Sequence, residues 1–110
     1  MKIYLSLLST ISLLFADKVY VVPIDGTIDL GLPPFIERTL DEAKEKNASA
    51  VVFDINTFGG RVDAATQIKD AILASDIQTI AFINRRAISA GALISLSCEK
   101  IFMTGGASIG

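Results

Sequence analysis

Two periodicities alternate along this chain, and that alternation restricts the folds open to it. Residues 19–24, 50–55 and 79–83 are apolar runs rich in β-branched side chains. The second run is broken only by Asp54, and continuous runs of this kind suit parallel strands covered on both faces. Between the runs, apolar residues recur at helical spacing. Ile36, Leu40 and Ala43 fall at i, i+4 and i+7 behind Pro33-Pro34, a pair suited to a first helical turn. Val62, Ala65, Ile68 and Ile72 form a second such face. Ser89-Ala90-Gly91 opens a third helix reaching to about Ser97, and residues 100–103 read as a fourth strand. Alternation at these lengths predicts an α/β domain of repeated strand–helix units on a mostly parallel sheet, with right-handed crossovers. The expected links are a turn at Asp25-Gly26, a glycine loop at 56–61 and a short connection at 84–88. Residues 105–110 read as loop, so the chain is expected to be the incomplete front part of its domain.

Residues 1–16 stand apart. Met1-Lys2 leads into an apolar and hydroxylic run that Ala16 closes, the pattern of a secretory signal peptide cleaved after Ala16. The run is shorter than the roughly 20 residues that span a bilayer. The domain is then 17–110, an exported segment with 9 basic and 12 acidic residues. That balance argues against nucleic acid as a partner, because phosphate binding needs clustered Lys and Arg. The chain has no histidine. That removes the Ser-His-Asp triad, the Cys-His dyad and His-based metal sites, and no metal or other cofactor is expected. Cys98, the single cysteine, lies in the apolar segment 94–102 and is expected to be a buried small hydrophobe.

Loops that follow consecutive parallel strands share one edge of the sheet, where α/β folds place their ligands. Gly59-Gly60 follows the second strand and Ser89 the third, so both are expected at that edge. Adjacent glycines let the backbone approach a substrate closely. Serine at a helix start sits where free N–H groups and the helix dipole favour negative charge. Taken singly, the glycine pair reads as a tight turn and Ser89 as an N-cap. Taken together, they suggest a nucleophile beside backbone donors.

Three segments carry a resemblance. They are Val19-Tyr20-Val21-Val22-Pro23-Ile24-Asp25-Gly26, Asp54-Ile55-Asn56-Thr57-Phe58-Gly59-Gly60-Arg61-Val62-Asp63, and Asn84-Arg85-Arg86-Ala87-Ile88-Ser89-Ala90-Gly91-Ala92. Together the chain from Val19 to Gly110 resembles the protease domain of long-form NfeD proteins, membrane-bound Clp-class serine peptidases often paired with stomatin-like proteins. The resemblance implies the Clp-protease fold, which crotonases share, and assigns Ser89 as nucleophile. Gly60 and Ala90 would supply the oxyanion hole, with Gly59 and Phe58 in the substrate loop. It further implies a Ser-Lys dyad whose lysine lies beyond Gly110. Also implied are self-association, later membrane helices and a domain on the extracytoplasmic (periplasmic) side of a prokaryotic inner membrane. Proline usually precedes the two glycines in this family, and Phe58 stands there instead.

Lys44, Lys46 and Lys69 fall on expected solvated helix faces, and Lys100 starts a strand, so none is favoured as the base. Arg85-Arg86 reads as a solvated pair. Asp54 is expected to bond backbone amides of the adjacent loop. The function expected is hydrolysis of apolar segments of membrane-associated, stomatin-like proteins. The alternatives are a non-catalytic membrane scaffold for such partners and a crotonase-type acyl-CoA enzyme, which an export signal disfavours.

Overall fold

The computed structural model describes residues 17–110, and the expected signal peptide, 1–16, lies outside the described residues. The elements are β1 (Val19–Asp25), α1 (Leu32–Glu45), β2 (Ala50–Thr57), α2 (Val62–Ala74), β3 (Gln78–Ala87), α3 (Ala90–Ser97), β4 (Lys100–Met103) and β5 (Ser108–Ile109). The sheet has the order β1-β2-β3-β4, with every neighbouring pair parallel. β5 adds a short parallel pairing to the end of β3, setting Arg86 opposite Ser108 and Ala87 opposite Ile109. All strands therefore deliver their C-terminal ends to one edge.

Each crossover steps to the next strand in the same direction, so crossovers of one hand put α1, α2 and α3 on the same face. Burial in the strands follows from that. On β2, Val51, Phe53 and Ile55 are completely buried beneath the helices, while Val52, Asp54 and Asn56 are only half-buried. On β1, Val22 and Ile24 are buried but Val21 is 64% exposed. The expectation of strands covered on both faces is corrected accordingly: among the described residues the helices cover one face. The helix faces meet that layer through Ile36, Leu40 and Ala43 of α1 and through Ala64, Ala65, Ile68 and Ile72 of α2. Val62 is exposed, because it is the first helical residue and lies outside this face.

Three more boundaries differ from expectation. β2 runs on to Thr57, so Asn56 and Thr57, read as the start of the glycine loop, are strand. β3 continues through 84–87, which had read as a connection, because this stretch pairs with both β2 and β5. Residues 108–109, read as loop, form β5. Cys98 is buried as expected, and burial pushes its thiol up to about 12.

Candidate active site

The loops after β1, β2 and β3 meet at the common edge. Gly59 has φ +112°, and a Cβ built on it would lie 3.0 Å from the Ile88 carbonyl oxygen, 3.1 Å from Ser89 Cβ and 3.3 Å from Ala90 N. The glycine loop and the serine turn are thus in direct contact, at a spacing tighter than side chains ordinarily make and with a backbone φ that favours glycine. A Cβ on Gly60 would stand 2.2 Å from the Ile28 carbonyl oxygen, so only glycine permits that approach to backbone.

Ser89 has φ 56° and ψ −114°, the dihedrals of the first central residue of a type II′ turn. The Gly91 N–H closes that turn on the Ile88 carbonyl at 2.9 Å. Glycine ordinarily fills this position, and a side chain there carries strain of the kind that concentrates at functional sites. Although Ser89 occupies the N-cap position of α3, its side chain makes no capping hydrogen bond. Ser89 is exposed at the edge of the sheet. The backbone of Ser89 is held on both sides: its N–H donates to the Gly110 carbonyl at 2.6 Å, and its carbonyl accepts from the Ala92 N–H at 2.9 Å.

Two backbone donors flank this residue. The Ile28 N–H donates to the Gly59 carbonyl at 3.0 Å, and the Arg61 N–H donates to the Ile28 carbonyl at 2.9 Å. C=O and N–H point in opposite directions across a trans peptide, so the Gly60 N–H points away from Ile28. The Ala90 N–H lies in the first turn of α3, where helical amides have no intrahelical partner. Among the described residues, neither the Gly60 nor the Ala90 N–H meets an acceptor.

Phe58 is 74% exposed, and the Arg86 guanidinium carbon lies 4.5 Å from its ring centroid. Arg86 also donates from Nη1 to Asn56 Oδ1 at 3.3 Å. With Asp25 and Thr27 these residues line a groove of about 220 Å³ beside Gly59. Arg86 is therefore engaged with Phe58 and Asn56, not half of a solvated pair, while Arg85 is exposed. Asp54 accepts from Asn84 Nδ2 at 2.8 Å, where bonds to backbone amides had been expected. The reason is that 84–87 is strand, which brings the Asn84 side chain beside Asp54.

No described lysine reaches Ser89. Lys18 precedes β1 at the opposite edge of the sheet, where its Nζ donates to the Lys46 carbonyl at 3.4 Å. Lys44 pairs with Asp76 at 2.9 Å and Lys69 with Asp70 at 3.0 Å. Lys46 is exposed at the end of α1. Lys100 begins β4 opposite Ile80, whereas the site lies past Ala87. At about 3.3 Å per residue, those seven residues amount to roughly 23 Å.

Two contributing residues were not singled out from the sequence. Thr57 is 2% exposed and its hydroxyl bonds the loops on either side. Gly91 lets α3 approach β2, since a Cβ there would meet Thr57 Cγ2 at 2.5 Å. The available signal for Thr57 was a hydroxyl ending the otherwise apolar row Val51, Phe53, Ile55.

Residues 18–110 match the NfeD1b N-terminal domain family. The chain is 41% identical over 92 residues to the membrane protein NfeD1b of Bacillus subtilis, covering 84% of this chain and 21% of that protein. It is 36% identical over 95 residues to the membrane-bound protease PH1510 of Pyrococcus horikoshii, covering 84% of this chain and 22% of the relative. The solved 1510-N membrane protease from that organism, specific for a stomatin homologue, aligns with a TM-score of 0.80 and 34% identity, over 87% of this chain and 50% of that one. ClpP1 from Listeria monocytogenes aligns with a TM-score of 0.64 and 26% identity, over 72% of this chain and 46% of that one. The chain thus spans about a fifth of the length of these curated relatives. No helix among the described residues is long and apolar enough to cross a membrane.

Proposed function

The chain belongs to the NfeD1b N-terminal domain family, and on that premise we propose that it carries the nucleophile and oxyanion hole of a membrane-associated serine peptidase. The observation that carries this reading is Ser89 itself. It is a serine in a strained turn, released from capping its helix, at the sheet edge where, among the described residues, the N–H groups of Gly60 and Ala90 have no acceptor.

In this reading Ser89 Oγ attacks the scissile carbonyl carbon. The negative charge that develops on the carbonyl oxygen is received by the N–H groups of Gly60 and Ala90, each such donor contributing about 3–4 kcal/mol. The C–N bond then breaks, the amine leaves with a proton, and water hydrolyses the acyl-serine. The proton of Ser89 needs an acceptor. The family resemblance implies that this base is a lysine beyond Gly110, kept neutral by burial, and the described lysines, remote or ion-paired, offer no substitute. Phe58 and Gly59 border the groove that receives the chain on one side of the scissile bond.

The specificity of 1510-N for a stomatin homologue supports a stomatin-like membrane protein as substrate, and cleavage within an apolar segment of it is part of the proposal. Self-association, anchoring by later membrane helices and an extracytoplasmic site accompany this assignment. The test is labelling of the full-length protein by a fluorophosphonate. Wild type should label and Ser89→Ala should not. Equal labelling of the two would remove Ser89 from the role, and absence of labelling in both would favour a scaffold without catalysis.

A further inference from the structure

On one face of β2 the row Val51, Phe53, Ile55 and Thr57 is buried throughout, at 0%, 0%, 0% and 2% exposure. Three of these four are apolar. Valine would fill the fourth place with the same shape, so the hydroxyl of Thr57 needs a reason. A buried hydroxyl is tolerated only where it is hydrogen-bonded, and each partner it satisfies would itself be costly to orphan. Thr57 Oγ1 donates to the Gly26 carbonyl at 2.5 Å and accepts from the Gly59 N–H at 3.0 Å. The Thr57 carbonyl accepts from the Ile88 N–H at 3.1 Å. One residue therefore ties together the loops after β1, β2 and β3.

The consequence for the site lies in the peptide geometry. The bond to Oγ1 fixes the Phe58–Gly59 peptide, and the Ile28 N–H on the Gly59 carbonyl fixes the next one. With both planes held, the Gly60 N–H is aimed outward. The bond from Ile88 holds the residue that precedes Ser89. We propose that Thr57 is a positioning residue of the acyl-transfer site: its hydroxyl orients the Gly59-Gly60 turn so that the Gly60 N–H receives the oxyanion, and its carbonyl sets the serine turn beside it. This rests on the reading of Ser89 as nucleophile.

The experiment uses the full-length protein with Thr57→Val, which keeps the shape and removes the hydroxyl, and Thr57→Ser, which keeps the hydroxyl and removes the methyl group. Fluorophosphonate labelling is followed as a rate against pH, well below each variant's unfolding temperature. Thr57→Val should label at least about 10-fold more slowly than wild type at every pH, with the apparent pKa of the profile unmoved, as expected when a donor is misplaced and the base is untouched. Thr57→Ser should label within about 3-fold of wild type even if it melts earlier. Wild-type rates in Thr57→Val would overturn the proposal. So would a Thr57→Ser variant slowed about 10-fold or more, since that would assign the effect to packing by the methyl group, and this arm decides the matter if Thr57→Val does not fold. Failure of wild type to label at Ser89 would instead strike the nucleophile reading, which the Ser89→Ala control reports separately.

Discussion

Replacing Ser89 by glycine should make the protein more stable while abolishing its chemistry. Ser89 holds φ 56° and ψ −114°, a conformation that L side chains avoid and glycine adopts freely. A residue held in such a region costs about 1–3 kcal/mol. Glycine removes that cost but adds freedom to the unfolded chain, worth about 0.4–1 kcal/mol in the opposite direction. The serine side chain makes no capping bond and is exposed, so little else is lost. The net gain is about 0–2.6 kcal/mol, centred a little above 1 kcal/mol. Ser89→Ala keeps the Cβ and hence the strain, and should stay within about 0.5 kcal/mol of wild type. The assay is thermal unfolding of the three proteins side by side. For a domain of 150–250 residues, 1 kcal/mol moves Tm by about 2–4 °C. Ser89→Gly should therefore melt a few degrees above both wild type and Ser89→Ala, and neither variant should label with a fluorophosphonate. Ser89→Gly melting at or below Ser89→Ala would refute the argument that the turn is strained by its side chain.

Gly91→Ala tests the contact between α3 and β2. Helix propensity alone favours alanine by about 1 kcal/mol, but the new Cβ would meet Thr57 Cγ2 at 2.5 Å, and overpacking costs about 1–3 kcal/mol. Gly91→Ala should destabilise the wild-type background and be neutral or stabilising in Thr57→Ser, where that methyl is gone; equal effects in both backgrounds, read from denaturant midpoints, would rule the contact out. Cys98 should resist thiol reagents in the folded protein, because burial pushes its pKa up to about 12 against about 8.5 for a free thiol. At pH 8.5 its reaction with a chromogenic disulfide should be about a thousandfold slower than in denaturant. The raised pKa also means that the folded state binds the proton more tightly. Its contribution to stability is complete below about pH 8.5 and declines as pH rises towards 12. A native protein that reacts as fast as the unfolded one would contradict both statements.

What the sequence made legible was whatever local pattern determines. The helical faces of Ile36, Leu40 and Ala43 and of Ala65, Ile68 and Ile72 were readable because burial repeats with the helical turn. The strands and their parallel order followed from alternation with helices. The Clp-protease-like fold and the NfeD family were also readable, from the three motif segments. What escaped depended on neighbours distant in sequence. Residues 84–87 are polar enough to look like a link, and they are strand only because β2 and β5 offer partners. Arg86 looked solvated because nothing in the order of residues reveals a phenylalanine 28 positions earlier lying under it. Thr57 read as part of the glycine loop at 56–61, and its two loop partners, Gly26 and Gly59, become visible only when three strand ends are brought together.

The pairing of β2 with β3 explains why Ser89 and Gly59 touch at all. From Ala50 to Ile55 each residue of β2 faces the residue 28 positions later, as with Ile55 and Ile83. Continued, that register would set Ser89 level with Arg61 and leave the glycines behind it. The register shifts after Ile55, and Thr57 faces Ala87, 30 positions later. Carried forward by two residues, the new register sets Gly59 level with Ser89, which agrees with the 3.1 Å separation between Ser89 Cβ and a Cβ built on Gly59. The irregularity takes two additional residues into β3 and so draws the serine turn back onto the glycine loop. Bulges next to active sites commonly re-aim a side chain in this way. Three departures from local regularity thus coincide at one edge: a shifted register, a glycine pair packed against backbone, and a serine in a glycine conformation. Each is unfavourable or neutral for stability when taken alone. Their common result is to set one hydroxyl beside two backbone N–H groups that have no acceptor among the described residues, and that arrangement has a use in acyl transfer that packing does not supply.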